Sequence, residues 1–366
     1  MLPSIFFHGL REVTVTISNQ IFNKDRSGLL PPLSTKIHQK IMSYISFAKQ
    51  SGFEYNKIYI VESLPDYSMI GLDDSSGYDG HTGKRLYEQV LLNNPDLSKD
   101  FPMEFVHIEG RKDWFEFIDR VIKEIKEQDA RPLLHLEIHG VEHKGKKVED
   151  LTPEMGCLAL RNHEIISYAE FRDAVTSINK ESECNLLLVM AVCFGVIPGL
   201  LAIKEFKEMP FYGIIGSLKR LDEDHLIRNF TAFYNSLFKT DNLDEAMKEL
   251  RWSEPNDDNE YGFYTAFYFF LKTWEDYLSK EFNDEAIKKK RKEFIGEHKD
   301  RNISVKLDYM FKGWVMRDTE KEYQKRKRNY FFLDLYPENE ERFHVPPTAL
   351  DFKKLIEENR ESKKLK

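Results

Sequence analysis

A histidine and a cysteine each close a strongly apolar stretch of this chain. RPLLHLEIHG, residues 131–140, ends on His139 and Gly140, and CNLLLVMAVC, residues 184–193, ends on Cys193. An imidazole can withdraw a thiol proton, and the thiolate so formed attacks a carbonyl carbon. Gly140 lets the main chain turn closely past such a carbonyl. Its N–H and that of Cys193 can receive the negative charge that develops on a tetrahedral intermediate. Gly195 relieves crowding just after the thiol. Cys157 and Cys184 have no comparable strand-end partner.

Such a pair works only if both residues are delivered to one place, so the elements around them matter. NKIYIVES and MEFVHIE read as strands, and PLLHLEIHG as a third. DWFEFIDRVIKEIKEQ is an amphipathic helix, with Phe115, Ile118, Val121, Ile122 and Ile125 at helical spacing. GCLALRNHEIIS resembles a hairpin, YAEFRDAVTSI a helix, CNLLLVMAV a fourth strand, FYGIIGS a fifth and HLIRNFTAFYNSLF a helix. Apolar strands alternating with amphipathic helices predict an α/β fold, a mainly parallel sheet covered on both faces. Functional groups of such a sheet collect beyond the C-terminal ends of its strands, where His139 and Cys193 fall. LDDSSGYDGHTGKRLYEQVLLNN is expected as a polar loop. Residues 1–55 form a leader, with a strand at REVTVTISNQIF and a helix at KIHQKIMSYISFAKQ. Residues 56–250 form the core, and 251–366 a mainly helical extension containing FYTAFYFFLKTWEDYLSKEFNDEAIKKKRKEFIGEHK, a mixed tail and a final helix at PPTALDFKKLIEENRE.

LEIHG and AVCFG, with GCLAL and IISYAEFRDAV between them and YGIIGSLKRLDEDHLIRNFTAFYNSLFKTDNLDEAMKEL beyond, resemble the caspase-like cysteine peptidases. Within them, the likeness is to the CHAT group related to caspases and separases, over about residues 56–250. The resemblance implies a caspase-like sheet, His139 as base, Cys193 as nucleophile and Gly140 at the oxyanion turn. It places Ser217 along the substrate channel. Ala191-Val192-Cys193 departs from the common small-residue-Ala-Cys pattern, and Leu218 replaces a frequent tryptophan. A protein or peptide substrate, no cofactor, and an effector role in prokaryotic cell death or antiviral defence, with a regulatory protein or nucleotide as activator, follow from the resemblance. A noncatalytic caspase-like interaction module is the rival reading, and a signal-nucleotide sensor a further one, although no Walker-type loop is present.

Other clusters also carry residue types capable of chemistry. His135, Glu137, His139 and His143 invite a metal, but the spacing is not HExxH. Strand alternation puts the first three on one face with His143 beyond a Gly turn, so no metal is expected, and His135 and Glu137 read as polar support for His139 or contacts to a neighbouring element. Asp73, Asp74 and Asp79, with Asp66 nearby, would favour Arg or Lys before the scissile bond if they line the channel. A basic pocket at Lys219 and Arg220 would favour Asp instead. KKKRK at 288–292 and KRKR at 325–328 are expected as solvated surface.

Composition bounds the rest. With 366 residues and 41% hydrophobic content the chain buries one large core or two modest ones. A formal charge of −8 argues against general nucleic-acid binding. Three scattered cysteines suggest neither a disulfide framework nor a cysteine-rich zinc site, and fit a reducing, cytoplasmic setting. MLPSIFFHGLREVTV lacks the basic n-region of a signal peptide. The apolar run from Leu186 to Ile203 is broken by Gly195, Pro198 and Gly199, which favours strand, turn and helix start over a membrane span.

Overall fold

The computed structural model describes residues 54–64, 81–95, 103–140, 157–191, 208–217, 223–252, 261–281, 283–297 and 304–352. The expected leader at 1–55 lies almost wholly outside them. Two compact units divide the chain, Met1–Ala202 with Pro210–Thr265, and Ile203–Met209 with Ala266–Lys366.

The first unit is an α/β sheet whose parallel members are β1 (Lys57–Ser63), β2 (Met103–His107), β3 (Pro132–Gly140), β6 (Leu187–Met190) and β7 (Gly213–Ser217). With the antiparallel β8 (Tyr261–Thr265) they lie in the order β2-β1-β3-β6-β7-β8. A hairpin of β4 (Cys157–Ala159) and β5 (Ile165–Ser167) branches from the end of β3. These are the five apolar runs and the hairpin that the sequence predicts.

Strand alternation distributes the side chains to two layers of helices. Ile58, Ile60, Leu133, Leu187, Val189 and Ile215 form one buried cluster. It includes Leu86 and Val90 of α1 (Thr82–Asn93), Phe230, Phe233 and Tyr234 of α4 (Glu223–Thr240), and Ala246 and Leu250 of α5 (Leu243–Trp252). On the other face, Tyr59 meets Phe117 of α2 (Arg111–Gln128) edge-on at 5.5 Å, and Trp114 packs on Phe171 of α3 (Tyr168–Glu181) at 6.0 Å. The start of α3 is set by a capping box in which Ser167 and Glu170 exchange hydrogen bonds.

Two stretches of this unit depart from expectation. TGKRLYEQVLLN, expected as part of a loop, is the helix α1: Leu86 and Val90, four apart, are fully buried, and the polar residues between them face outward. FYT, residues 263–265, expected as the start of a helix, instead ends the strand β8 (Tyr261–Thr265), antiparallel to β7. Its aromatic composition suits either state locally, and the open edge of β7 decides between them. Gly213 makes room for this pairing, since a Cβ there would lie 2.5 Å from the Phe263 ring.

The second unit contains α6 (Ala266–Glu281), α7 (Asp284–Glu297), α8 (Ser304–Tyr330) and the short α9 (Asn339–Arg342). The region expected as a mixed tail is therefore largely one 27-residue helix, α8. The ring of Phe270 is surrounded by Tyr323, Tyr330, Phe331 and Phe352. KRKR is not simple solvated surface: Lys327 is buried and donates to Glu340 at 2.7 Å, and Arg326 covers the Tyr277 ring at 4.2 Å. In KKKRK, Lys288, Lys289, Arg291 and Lys292 are exposed. No helix among the described residues is long and apolar enough to cross a membrane.

The packing of Phe263 over Gly213 is testable. Gly213→Ala is expected to cost about 1–3 kcal/mol through overpacking. In a Phe263→Ala background the same methyl should be nearly silent, a non-additivity readable from urea unfolding midpoints.

Candidate active site at the C-terminal edge of the sheet

The C-terminal ends of the parallel strands carry a row of polar residues. Glu62 of β1 is in register with His107 of β2 and with Glu137 of β3. Ala191, just past β6, donates its N–H to the Leu136 carbonyl at 3.0 Å, and Ser217 closes β7 opposite Tyr261. Glu62, Glu137 and Ser217 are all buried. Buried carboxyl groups are costly unless they are well hydrogen-bonded, so their partners explain their presence.

Helix α1 supplies the partners. It has no acidic residue in its first turn, and its N-cap, His81, makes no side-chain capping bond. Its first N–H groups therefore need acceptors from elsewhere. Glu62 Oε2 accepts from the N–H of Gly83 at 2.8 Å and of Lys84 at 3.2 Å, while Oε1 lies 3.1 Å from His81 Nδ1. Glu137 takes the next position, with Oε2 accepting from the Thr82 hydroxyl and Oε1 lying 3.1 Å from His135 Nε2. A Cβ on Gly83 would lie 3.1 Å from Glu62 Oε2 and 3.5 Å from Glu137 Cδ, so both carboxyl groups converge beneath this turn. The positive end of the helix dipole favours the arrangement.

The chain of bonds continues into the core. His135 Nδ1 lies 3.0 Å from the Tyr234 hydroxyl of α4, and the imidazole stands edge-on to Phe230 at 4.8 Å. Burial, followed by the nearby Glu137 and then Tyr55, raises the Tyr234 phenol well above its ordinary range, so it keeps its proton. With Glu137 as acceptor, the tautomer that gives every proton a partner has Tyr234 donating to Nδ1 and Nε2–H donating to Glu137.

The hairpin fastens to the same edge. Ser63 donates to the Ile108 carbonyl at 2.8 Å and accepts from the Arg161 N–H at 2.9 Å. Asn162 N–H reaches the Glu109 carbonyl at 3.0 Å. His139 and Gly140 are the last residues of β3, and their main chains pair with Ala159 and Leu158 of β4. At this point β3 leaves its parallel neighbours for the hairpin.

Of the other residues singled out in the sequence, Cys193, Asp66, Asp73, Asp74, Asp79, His143, Leu218, Lys219 and Arg220 lie outside the described residues. Cys184 is fully buried, and Cys157 pairs with Ser167 in the hairpin. Among the described residues no group of three or more His, Cys, Asp or Glu is arranged to hold a metal ion. His135 and Glu137 do contact neighbouring elements, as their types suggested. Glu62, Thr82 and Tyr234 were missed. An acid next to the last residue of the apolar KIYIVES is the available signal for Glu62, whereas nothing local marks Tyr234.

Removing the Glu62 acceptor should loosen the start of α1. Glu62→Ala is expected to cost about 1–3 kcal/mol and to speed amide hydrogen exchange at Gly83 and Lys84, with Glu62→Gln restoring part of the protection. Unchanged exchange at both amides in a folded Glu62→Ala protein would refute the cap. No protein-family model matches this chain, and no curated protein matches it.

Proposed function

We propose that the protein is a caspase-like cysteine endopeptidase using His139 and Cys193. The observation that carries this reading is the register of two adjacent parallel strands. Leu136 of β3 is paired with Met190 of β6, and the histidine and the cysteine each follow that pair by three residues. Ligand sites of parallel sheets lie at this edge. The hairpin that branches from β3 supports the reading too, since the resemblance implies a hairpin between the histidine and cysteine stretches. A hairpin alone would not carry an activity, and the weight rests on the residue pair.

In this reading His139 takes the thiol proton of Cys193, and the sulfur attacks the scissile carbonyl carbon. The N–H groups of Gly140 and Cys193 hold the oxyanion. The imidazolium then protonates the departing amine, and water cleaves the thioester to release the acid and restore the thiol. No cofactor enters these steps. Asp73, Asp74 and Asp79 supply a preference for Arg or Lys before the cut, and Ser217, buried at the end of the neighbouring β7, borders the channel. A cytoplasmic effector of prokaryotic defence, switched by a protein or nucleotide, is the biological setting that the resemblance supports.

Cys193→Ala and His139→Ala should fold and lose peptide cleavage by roughly a thousandfold or more. Cys184→Ala and Cys157→Ala should retain it, and an electrophilic peptide should label Cys193. Undiminished cleavage by folded Cys193→Ala overturns the assignment. Cleavage-site profiling that gives a consistent Asp preference rejects the basic-residue specificity and leaves the Cys-His pair standing.

A further inference from the structure

We infer that Glu137 is a positioning residue for the reactive edge, holding the end of β3 in place through Thr82 on one carboxyl oxygen and His135 on the other. The inference rests on the peptidase reading above. Glu137 stands two residues before His139 on the same strand, separated from it by the buried Ile138. The parallel ladder thins out over this stretch: β6 pairs with β3 as far as Leu136, and β1 as far as Ile138. At His139 and Gly140 the partner is the short β4. Where main-chain pairing changes hands, a side-chain clamp sets how far the strand end extends.

The clamp is tied to three other elements. Thr82 belongs to the first turn of α1, Tyr234 to α4, and the first turn is held a second time by Glu62 of β1. Each bond of this line is directional and fully buried, so the line admits one register of β3 against its neighbours. An apolar side chain of similar size at 137 would fill the same space, but it would leave the Thr82 hydroxyl and the His135 ring N–H without their acceptor and would not fix that register. A displacement of about 1 Å in a reacting group costs on the order of a hundredfold in rate. A positioning role therefore separates from a purely structural one by its effect on the thiol.

The test uses the full chain and follows alkylation of Cys193 by iodoacetamide across pH, read by mass spectrometry, beside thermal unfolding. Glu137→Leu, Thr82→Val and Tyr234→Phe each remove hydrogen bonds with little change in volume. They are expected to fold, to slow Cys193 alkylation at neutral pH by about tenfold, and to displace its pH profile upward. Thr82→Ser, which keeps the hydroxyl, should restore the wild-type profile. Folded variants with unchanged alkylation rate and pH profile overturn the positioning role and leave the peptidase reading intact. Failure of all three to fold also overturns it, because the line would then serve stability alone. If Cys193 of the wild-type protein reacts no faster than a free thiol and is indifferent to His139→Ala, the peptidase reading fails and the inference with it.

Discussion

Two carboxyl groups beneath the first turn of a helix organise this molecule. Glu62 and Glu137 sit in register on adjacent strands, both removed from water, and the start of α1 is what makes their burial tolerable. The dependence is mutual. Without them the N–H groups of Gly83 and Lys84 would lose their acceptor, and without that turn the two buried acids would lose the donors that satisfy them. Such an arrangement is a stringent constraint, because it is favourable only when every partner is present.

The same constraint orders the edge where chemistry is proposed. Tyr234 and His135 extend the line of bonds from Glu137 into the aromatic cluster of α4, and Ser63 binds the β4–β5 hairpin to the ends of β1 and β2. The end of β3 is thus approached from the core by a polar line and from outside by a hairpin. A parallel sheet brings the C-terminal ends of its strands together by topology alone, and these contacts turn that proximity into defined geometry.

In the second unit a comparable economy of polar groups occurs within an aromatic core. Lys327 is buried only together with its bond to Glu340, and Arg326 lies against the Tyr277 ring rather than in open solvent. A basic cluster on a helix is therefore not one environment: successive residues point to different sides, and the partners on each side decide which charges are internal.

The sequence by itself determined the parallel strands, the hairpin and the helices α2 to α4, because apolar runs such as KIYIVES, PLLHLEIHG and GIIGS, and helical spacing such as Ile118, Val121 and Ile125, are short-range signals. It also made the polar residues of HLEIHG conspicuous within an otherwise buried strand. Only the tertiary structure decided that TGKRLYEQVLLN is a helix, because its first turn is capped by Glu62, 21 residues before Gly83. It alone decided that YGFYT is a strand, because that choice is made by the free edge of β7 rather than by the aromatic residues themselves. The polar line was the least legible feature. Thr82 and Glu137 are 55 residues apart and His135 and Tyr234 are 99 apart, so each member looks ordinary in its own segment. Hydrogen-bond partners across such distances leave no periodic trace in a single sequence, and only the packing of β1, β3, α1 and α4 brings them into contact.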